Sequence, residues 1–207
     1  MDIETFGLLK DQLARYVEER LIPAEDAVEE ADDIPPDIVA EFKAMGLFGL
    51  SVPEEFGGLG LTMSEESQLV RILTRASVTF RSLIGTTVGI GSQGIMIDGT
   101  EAQKAEWLPK FATGEAIASF ALTEPGAGSD AASLHCSAVQ EGEYFRINGT
   151  KRYITNAPRA TVFTLMARTD PGNRGAAGIS AFIVPADSPG ISLGKPDRKM
   201  GQRGAKT

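Results

Sequence analysis

Residues 114–130 read GEAIASFALTEPGAGSD, and the two sides of this stretch have different hydrophobic periods. Before Gly114 the apolar residues recur every three or four positions, as helices require. After it they fall in short β-branched and aromatic runs, as strands require. Ile117–Thr123 is the first of those runs, and it leads directly into a loop of glycines, a proline, hydroxyls and carboxylates (Glu124–Asp130). This order predicts an α+β chain of two domains. An all-α N-terminal domain would occupy residues 1–114, and a small antiparallel, barrel-like β domain residues 115–207.

Leu9, Leu13, Tyr16, Val17 and Leu21 make one helical stripe, which Pro23 is expected to close. Pro35–Pro36 precede a second helix with Ile38, Phe42 and Met45 on one side and Gly46 at its end. Thr62–Glu65 and Thr100–Gln103 both fit the reciprocal capping box that opens a helix. On the C-terminal side, Tyr144–Ile147, Lys151–Thr155, Thr161–Ala167 and Ile179–Val184 read as strands. Asn148–Gly149 predicts a type I′ hairpin turn that would set Tyr144 opposite Tyr153.

With 207 residues, 42% of them hydrophobic and 23% charged, the composition excludes disordered and fibrous classes. The longest apolar run, Leu83–Ile97, is broken by glycines and falls short of the ~20 residues that span a bilayer, so no membrane segment is expected. The acidic N-terminus lacks the basic character of a targeting peptide, and a cytoplasmic protein is expected. Cys136 has no partner for a disulfide, and with one His and one Cys no metal site is expected. The net charge of -8 argues against nucleic acid as a partner. Charge is unevenly placed: residues 1–66 carry 17 acidic and 4 basic side chains, whereas residues 142–207 carry 4 acidic and 11 basic ones. The basic third suits a small polyanion such as a nucleotide phosphate, or is simply a solvated surface.

Glu124–Asp130 has the composition of an anion-binding nest, because glycines let backbone N–H groups approach a ligand. Gly126–Ala131 matches the dinucleotide fingerprint G-x-G-x-x-A literally. That fingerprint must open a helix in a βαβ unit, but Ala132–Val139 reads as a strand, so the match is rejected. His135 and Cys136 are neighbours on a strand, point to opposite faces and cannot act together. Arg81 precedes a Gly/Thr-rich stretch and is a candidate to meet a carboxylate.

FALTEPGAGSD (120–130) resembles the first signature of the acyl-CoA dehydrogenase flavoprotein family. NGTKRYITNA (148–157) resembles that family's hairpin segment, KMGQRGAKT (199–207) a third segment near the end of its β domain, and Trp107–Leu108–Pro109 is similar to the family's lead-in. The resemblance implies FAD as cofactor and an acyl-CoA substrate oxidised to the trans-2-enoyl-CoA, with hydride transfer to flavin N5. It also implies an electron-transfer flavoprotein as acceptor and a tetrameric homo-oligomer. Phe120, Ala121, Leu122, Thr123, Gly126, Gly128 and Ser129 would form the flavin-facing strand and loop. Thr123 would bond the pyrimidine side of the flavin, and Ser129 would contact the acyl-CoA. Tyr153, at a position often held by Trp, would pack on the flavin, with Ile154 beside it and Thr155 near N5. The family's catalytic glutamate and tetramer core belong to a C-terminal helical domain that these residues do not match. No catalytic residue is therefore expected among them, and the chain alone is expected to be inactive. A non-catalytic fragment of the same fold, or a flavin monooxygenase on it, are the alternatives.

Overall fold

The computed structural model describes residues 1–207, a run of helices followed by one sheet. Helix α1 (Ile3–Tyr16) begins on Asp2, whose carboxylate accepts from the Thr5 N–H at 2.8 Å. Pro23 does not end the helical path. A wide π turn (Val17–Leu21) and a tight 3-10 turn (Ile22–Ala24) carry the chain past it into α2 (Glu25–Ala31). Proline's missing N–H is harmless in the first turn of a new segment, where that donor has no helical partner. Helix α3 (Pro36–Ala44) starts on its prolines and stops before Gly46, which takes φ +70°.

Helix α4 (Met63–Leu73) opens with the capping box: the Glu65 N–H donates to Thr62 Oγ1 at 3.3 Å, and the Thr62 N–H to Glu65 Oε2 at 2.8 Å. The glycine-broken run after it is also helical, as α5 (Val78–Thr86) and α6 (Ser92–Asp98). Between them Thr87–Gly91 forms a π turn kinked at Gly89. Backbone groups freed by a kink need partners from elsewhere. Ser51 Oγ donates to Val88 O and Thr164 Oγ1 to Gly91 O, both at 2.7 Å. Helix α7 (Glu101–Thr113) has the second capping box and ends on Gly114 at φ +70°.

Five strands form one mixed sheet: β1 (Ala118–Ala121), β2 (Ser137–Glu141), β3 (Tyr144–Asn148), β4 (Val162–Arg168) and β5 (Ile179–Pro185). Strand β4 is central. It runs parallel to β1, with Ala118 opposite Val162, meets β2 in parallel at Arg168, and pairs antiparallel with β5 along its other edge. The expected all-antiparallel, barrel-like domain is thus corrected to a mixed, open sheet. Alternation of side chains reports which face is buried; it carries no information on strand direction. The β1 partner is a strand about forty residues on, and a parallel pair needs such a long crossover.

The hairpin also lies elsewhere. Strands β2 and β3 pair through a two-residue turn at Gly142–Glu143, with Tyr144 opposite Glu141 rather than Tyr153. Gly142 has φ +64° at the first turn position, as a type II′ turn demands. Gly149 serves close packing instead, since a Cβ there would stand 2.6 Å from Cys136 Cβ. Lys151–Thr155 is not a strand, and the run after Asp130 forms a 3-10 turn (Ala131–Ser133) before β2 begins.

A core of twenty buried residues, with Leu13, Phe42, Phe48, Leu69 and Phe80 among them, holds the helices. A smaller cluster of Val52, Ile95, Leu108, Phe111, Ala118 and Val162 binds α6 and α7 to β1 and β4. No helix is long and apolar enough to cross a membrane.

Candidate functional site

At its C-terminal end β1 faces the kinked end of α5 across a half-open cleft of about 480 Å³. Phe120, Leu122 and Thr123 line one wall, Tyr153 and Thr155 a second, and Arg81, Ser82, Gly85, Thr86 and Gly89 the helical side, with Gln202 at the rim. Volumes of ~300–1,000 Å³ are usual for small-molecule sites.

The walls are fixed through the backbone. The Arg152 N–H donates to Thr123 O at 2.8 Å, and Ser119 Oγ donates to Thr155 O at 2.8 Å. Asn156, at φ +64°, sends its Nδ2 to Ser82 O and Thr86 Oγ1, both at 2.8 Å, which seats Tyr153–Thr155 against α5. These bonds use main-chain groups, so the Thr123 and Thr155 hydroxyls keep no partner within the chain and remain available in the cleft. Tyr153 holds φ +59° and leaves 63% of its surface exposed at the mouth. A bulky residue rarely adopts that conformation, and such positions collect at functional sites.

The loop after β1 is clamped from behind. Glu124 and Ala127 exchange backbone hydrogen bonds at 3.0 and 3.1 Å, and Ala127 is buried. The Glu124 carboxylate accepts from the His135 N–H at 2.6 Å, the Cys136 N–H at 2.8 Å and Lys151 Nζ at 2.8 Å. Burial pushes the Glu124 pKa up, but Lys151 and the two N–H groups outweigh it and hold the carboxyl below its ordinary value. Lys151 also donates to Leu122 O at 2.9 Å, tying the pair to the cleft wall. Gly126 and Gly128 are exposed, and a Cβ on either would meet no atom within 4 Å. Their backbone is open to an approaching ligand.

The structure therefore gathers Phe120, Leu122, Thr123, Tyr153 and Thr155 in one place. Ala121 points the other way and is buried, and Ile154 does not line the cleft. Gly126, Gly128 and Ser129 are exposed on the loop that follows β1 and are not among the lining residues. Val78, Arg81, Ser82, Gly85, Thr86, Gly89, Ile90 and Gln202 complete the lining. Of these, sequence reasoning singled out Arg81 alone, by its place before the Gly/Thr run. His135 is exposed while Cys136 is buried, and burial raises the Cys136 thiol, so the two form no reactive pair. An open glycine loop, an aromatic plane at the mouth and two unpartnered hydroxyls suit a planar, polar-edged cofactor such as a flavin with its phosphates.

Two family models account for nearly all of the chain: "Acyl-CoA dehydrogenase, N-terminal domain" matches residues 4–115 and "Acyl-CoA dehydrogenase, middle domain" residues 119–207. The chain belongs to the acyl-CoA dehydrogenase family. Its relatives differ in substrate. Mitochondrial very long-chain specific acyl-CoA dehydrogenase of Mus musculus is 39% identical over 203 residues, covering 94% of this chain and 30% of that protein. (2S)-methylsuccinyl-CoA dehydrogenase of Cereibacter sphaeroides is 38% identical over 213 residues, covering 98% of this chain and 38% of that protein. Glutaryl-CoA dehydrogenase of Mycobacterium smegmatis, solved in complex with FADH2, superposes with a TM-score of 0.88 at 32% identity, covering all of this chain and 51% of that one. The chain thus spans from 30% to 51% of the length of these acyl-CoA dehydrogenases, and its helices and mixed sheet have the fold of the solved one.

Proposed function

We propose that this chain supplies the helical unit (1–114) and the sheet unit (115–207) of an FAD-dependent acyl-CoA dehydrogenase that converts an acyl-CoA to its trans-2-enoyl-CoA. The observation that carries the reading is convergence. Segments 120–123 and 153–155, together with Gln202, come from three separate family-like motifs and meet α5 around one cleft. When bound, FAD would supply the acceptor for the hydride, with its electron pair, that leaves the thioester β-carbon as the α-proton leaves to a base.

In this reading each residue has its own task. Thr123 would offer a hydroxyl to the flavin, and Tyr153 would offer an aromatic plane for stacking. Thr155 would bring a second hydroxyl, Gly126 and Gly128 would give main-chain access, and Ser129 would contact the acyl-CoA. The Glu124–Lys151 pair keeps Leu122 and Thr123 in register with Tyr153. No carboxylate lines the cleft, so the base that takes the α-proton comes from outside these residues. The same observation favours, for the 207 residues alone, cofactor binding without turnover. Electron-transfer flavoprotein as acceptor, a homo-oligomeric assembly and a cytoplasmic setting complete the proposal.

The test is a visible spectrum of the purified chain titrated with FAD, followed by anaerobic addition of an acyl-CoA. A flavin band that stays with the chain through gel filtration and does not bleach is the expected result. Thr123→Val should weaken retention roughly 2- to 10-fold, as the loss of one neutral hydrogen bond implies. A chain that never retains flavin overturns the reading.

A further inference from the structure

We propose that Arg152, stacked on the face of Tyr153 turned away from the cleft, is a positioning residue that biases a bound flavin toward its reduced, negatively charged form. The inference rests on the proposed flavin reading of the same cleft and adds what sets the flavin's potential there.

Tyr153 lines the cleft and Arg152 does not. Yet the guanidinium carbon of Arg152 lies over the Tyr153 ring, 4.8 Å from its centroid. The ring therefore stands between the cation and the cleft, with one face taken and the other free. A cation within ~6 Å of a ring centroid is attracted by the negative face of the ring.

Main-chain and carboxylate contacts hold the stack in place. The Arg152 N–H donates to Thr123 O at 2.8 Å, which ties its backbone to the neighbouring cleft wall. Arg152 Nη2 lies 3.5 Å from Asp197 Oδ1, so a carboxylate steadies the guanidinium. The Asp197 N–H in turn donates to Thr207 O at 2.9 Å, within the C-terminal segment. Tyr153 keeps its uncommon φ of +59° in the middle of these contacts.

The chemistry gives this charge a use. A hydride brings one proton and two electrons, so a neutral flavin that accepts it gains one negative charge. A cation held nearby lowers the energy of that product more than that of the neutral oxidised ring. The guanidinium also draws the ring electrons of Tyr153 toward itself, which leaves the free face less repulsive to an electron-rich partner. Half of the Arg152 side chain meets water, so the effect is modest and screened by salt. Arg81 lines the cleft as well, but its charge is the same in every variant below.

The test is the midpoint potential of FAD bound to the 207-residue chain, measured by anaerobic reductive titration against a reference dye. Arg152→Gln should lower the preference for the reduced form about 2- to 5-fold, which is ~10–20 mV in a two-electron couple. Arg152→Lys should restore part of it, because the charge returns without the planar stack. Asp197→Asn should raise the potential, because the opposing charge goes while the cation stays. If the stack served only to shape the wall, both Arg152→Gln and Asp197→Asn would disturb it and shift the potential the same way. The gap between wild type and Arg152→Gln should narrow from ~0.1 M to ~1 M salt, as the screening length falls from ~10 to ~3 Å. A potential that Arg152→Gln leaves unmoved, a shift of the same sign in Asp197→Asn, or a gap that salt leaves untouched would each overturn the inference. Those results all concern bound flavin, so the dehydrogenase reading survives them; a chain that never retains FAD overturns both.

Discussion

Glu124 and Lys151 put opposite charges where only 6% and 9% of their side chains meet water. Removing one partner strands the other, and in such settings that typically costs ~3–5 kcal/mol. Glu124→Gln should therefore destabilise the chain by about that much in urea denaturation, and Glu124→Gln with Lys151→Met by less than the single change. The pair also predicts a pH dependence. Lys151 and the N–H groups of His135 and Cys136 overcome burial and hold the folded carboxyl below its ordinary 4.5. A depressed carboxyl stabilises fully above the unfolded value and loses that contribution as pH falls through the folded one. Stability measured between neutral pH and pH 3 should thus drop more steeply for the wild type than for Glu124→Gln. Coincident slopes would show that the carboxylate is not the source. None of this was legible in sequence, since no local pattern marks two charges 27 positions apart as a buried pair. The loop around Glu124 was legible, because its glycines and hydroxyls are adjacent.

Helix α7 hands the chain to the sheet at Gly114, and that handover needs a glycine twice over. Its φ of +70° favours a residue without Cβ, and a Cβ there would stand 2.8 Å from Phe48 Cδ2 and 3.0 Å from Lys43 Cγ. Gly114→Ala should cost ~1–3 kcal/mol, the sum of left-handed strain and crowding of a fully buried ring. A melting temperature within a degree of wild type would contradict it. Elements of this kind were readable because their signals are local: the two capping boxes, the prolines before α3 and Gly114 each act within a turn. Signals misled wherever a residue answered to distant chain. Gly149 looks like half of a hairpin turn, but it clears space for Cys136. Gly85, Gly89 and Gly91 look like breaks, yet they sit in or beside helices whose kink is completed by Ser51 and Thr164. The direction of β1 against β4 depends on a strand forty residues away, so side-chain alternation is silent about it. Arg81 was visible as a charge before small residues, while its place against Gly85 on the helical side of the cleft needed the helix to be seen.

The helical and sheet parts act as one body because the C-terminal segment is sewn to both. Asp32, in the left-handed conformation after α2, accepts from the Gly204 N–H at 2.7 Å and from Lys206 Nζ at 3.2 Å. Thr79 Oγ1 of α5 donates to Arg203 O at 2.9 Å, and the Asn156 N–H donates to Lys206 O at 2.8 Å. Segment 203–206 therefore lies between α2, α5 and the same Asn156 that seats the cleft wall, and it sets Gln202 at the rim. The Gly204 N–H is the main cause that holds the Asp32 carboxyl below its ordinary range, with Lys206 adding to it against some burial. Because that pKa is depressed, the anchor is complete at neutral pH and weakens as the solution is acidified through the folded value. Opening of the segment should be readable by trypsin, which cuts after Arg203 once the segment lifts. Asp32→Ala should speed cleavage there roughly five-fold, as expected for losing about 1 kcal/mol of anchoring, with little change at the exposed Arg71. Uniformly faster cleavage at both sites would mean global destabilisation instead. Cleavage at Arg203 unchanged by Asp32→Ala would mean that Thr79 and Asn156 suffice, and that the acidic N-terminal part does not hold the segment at the rim.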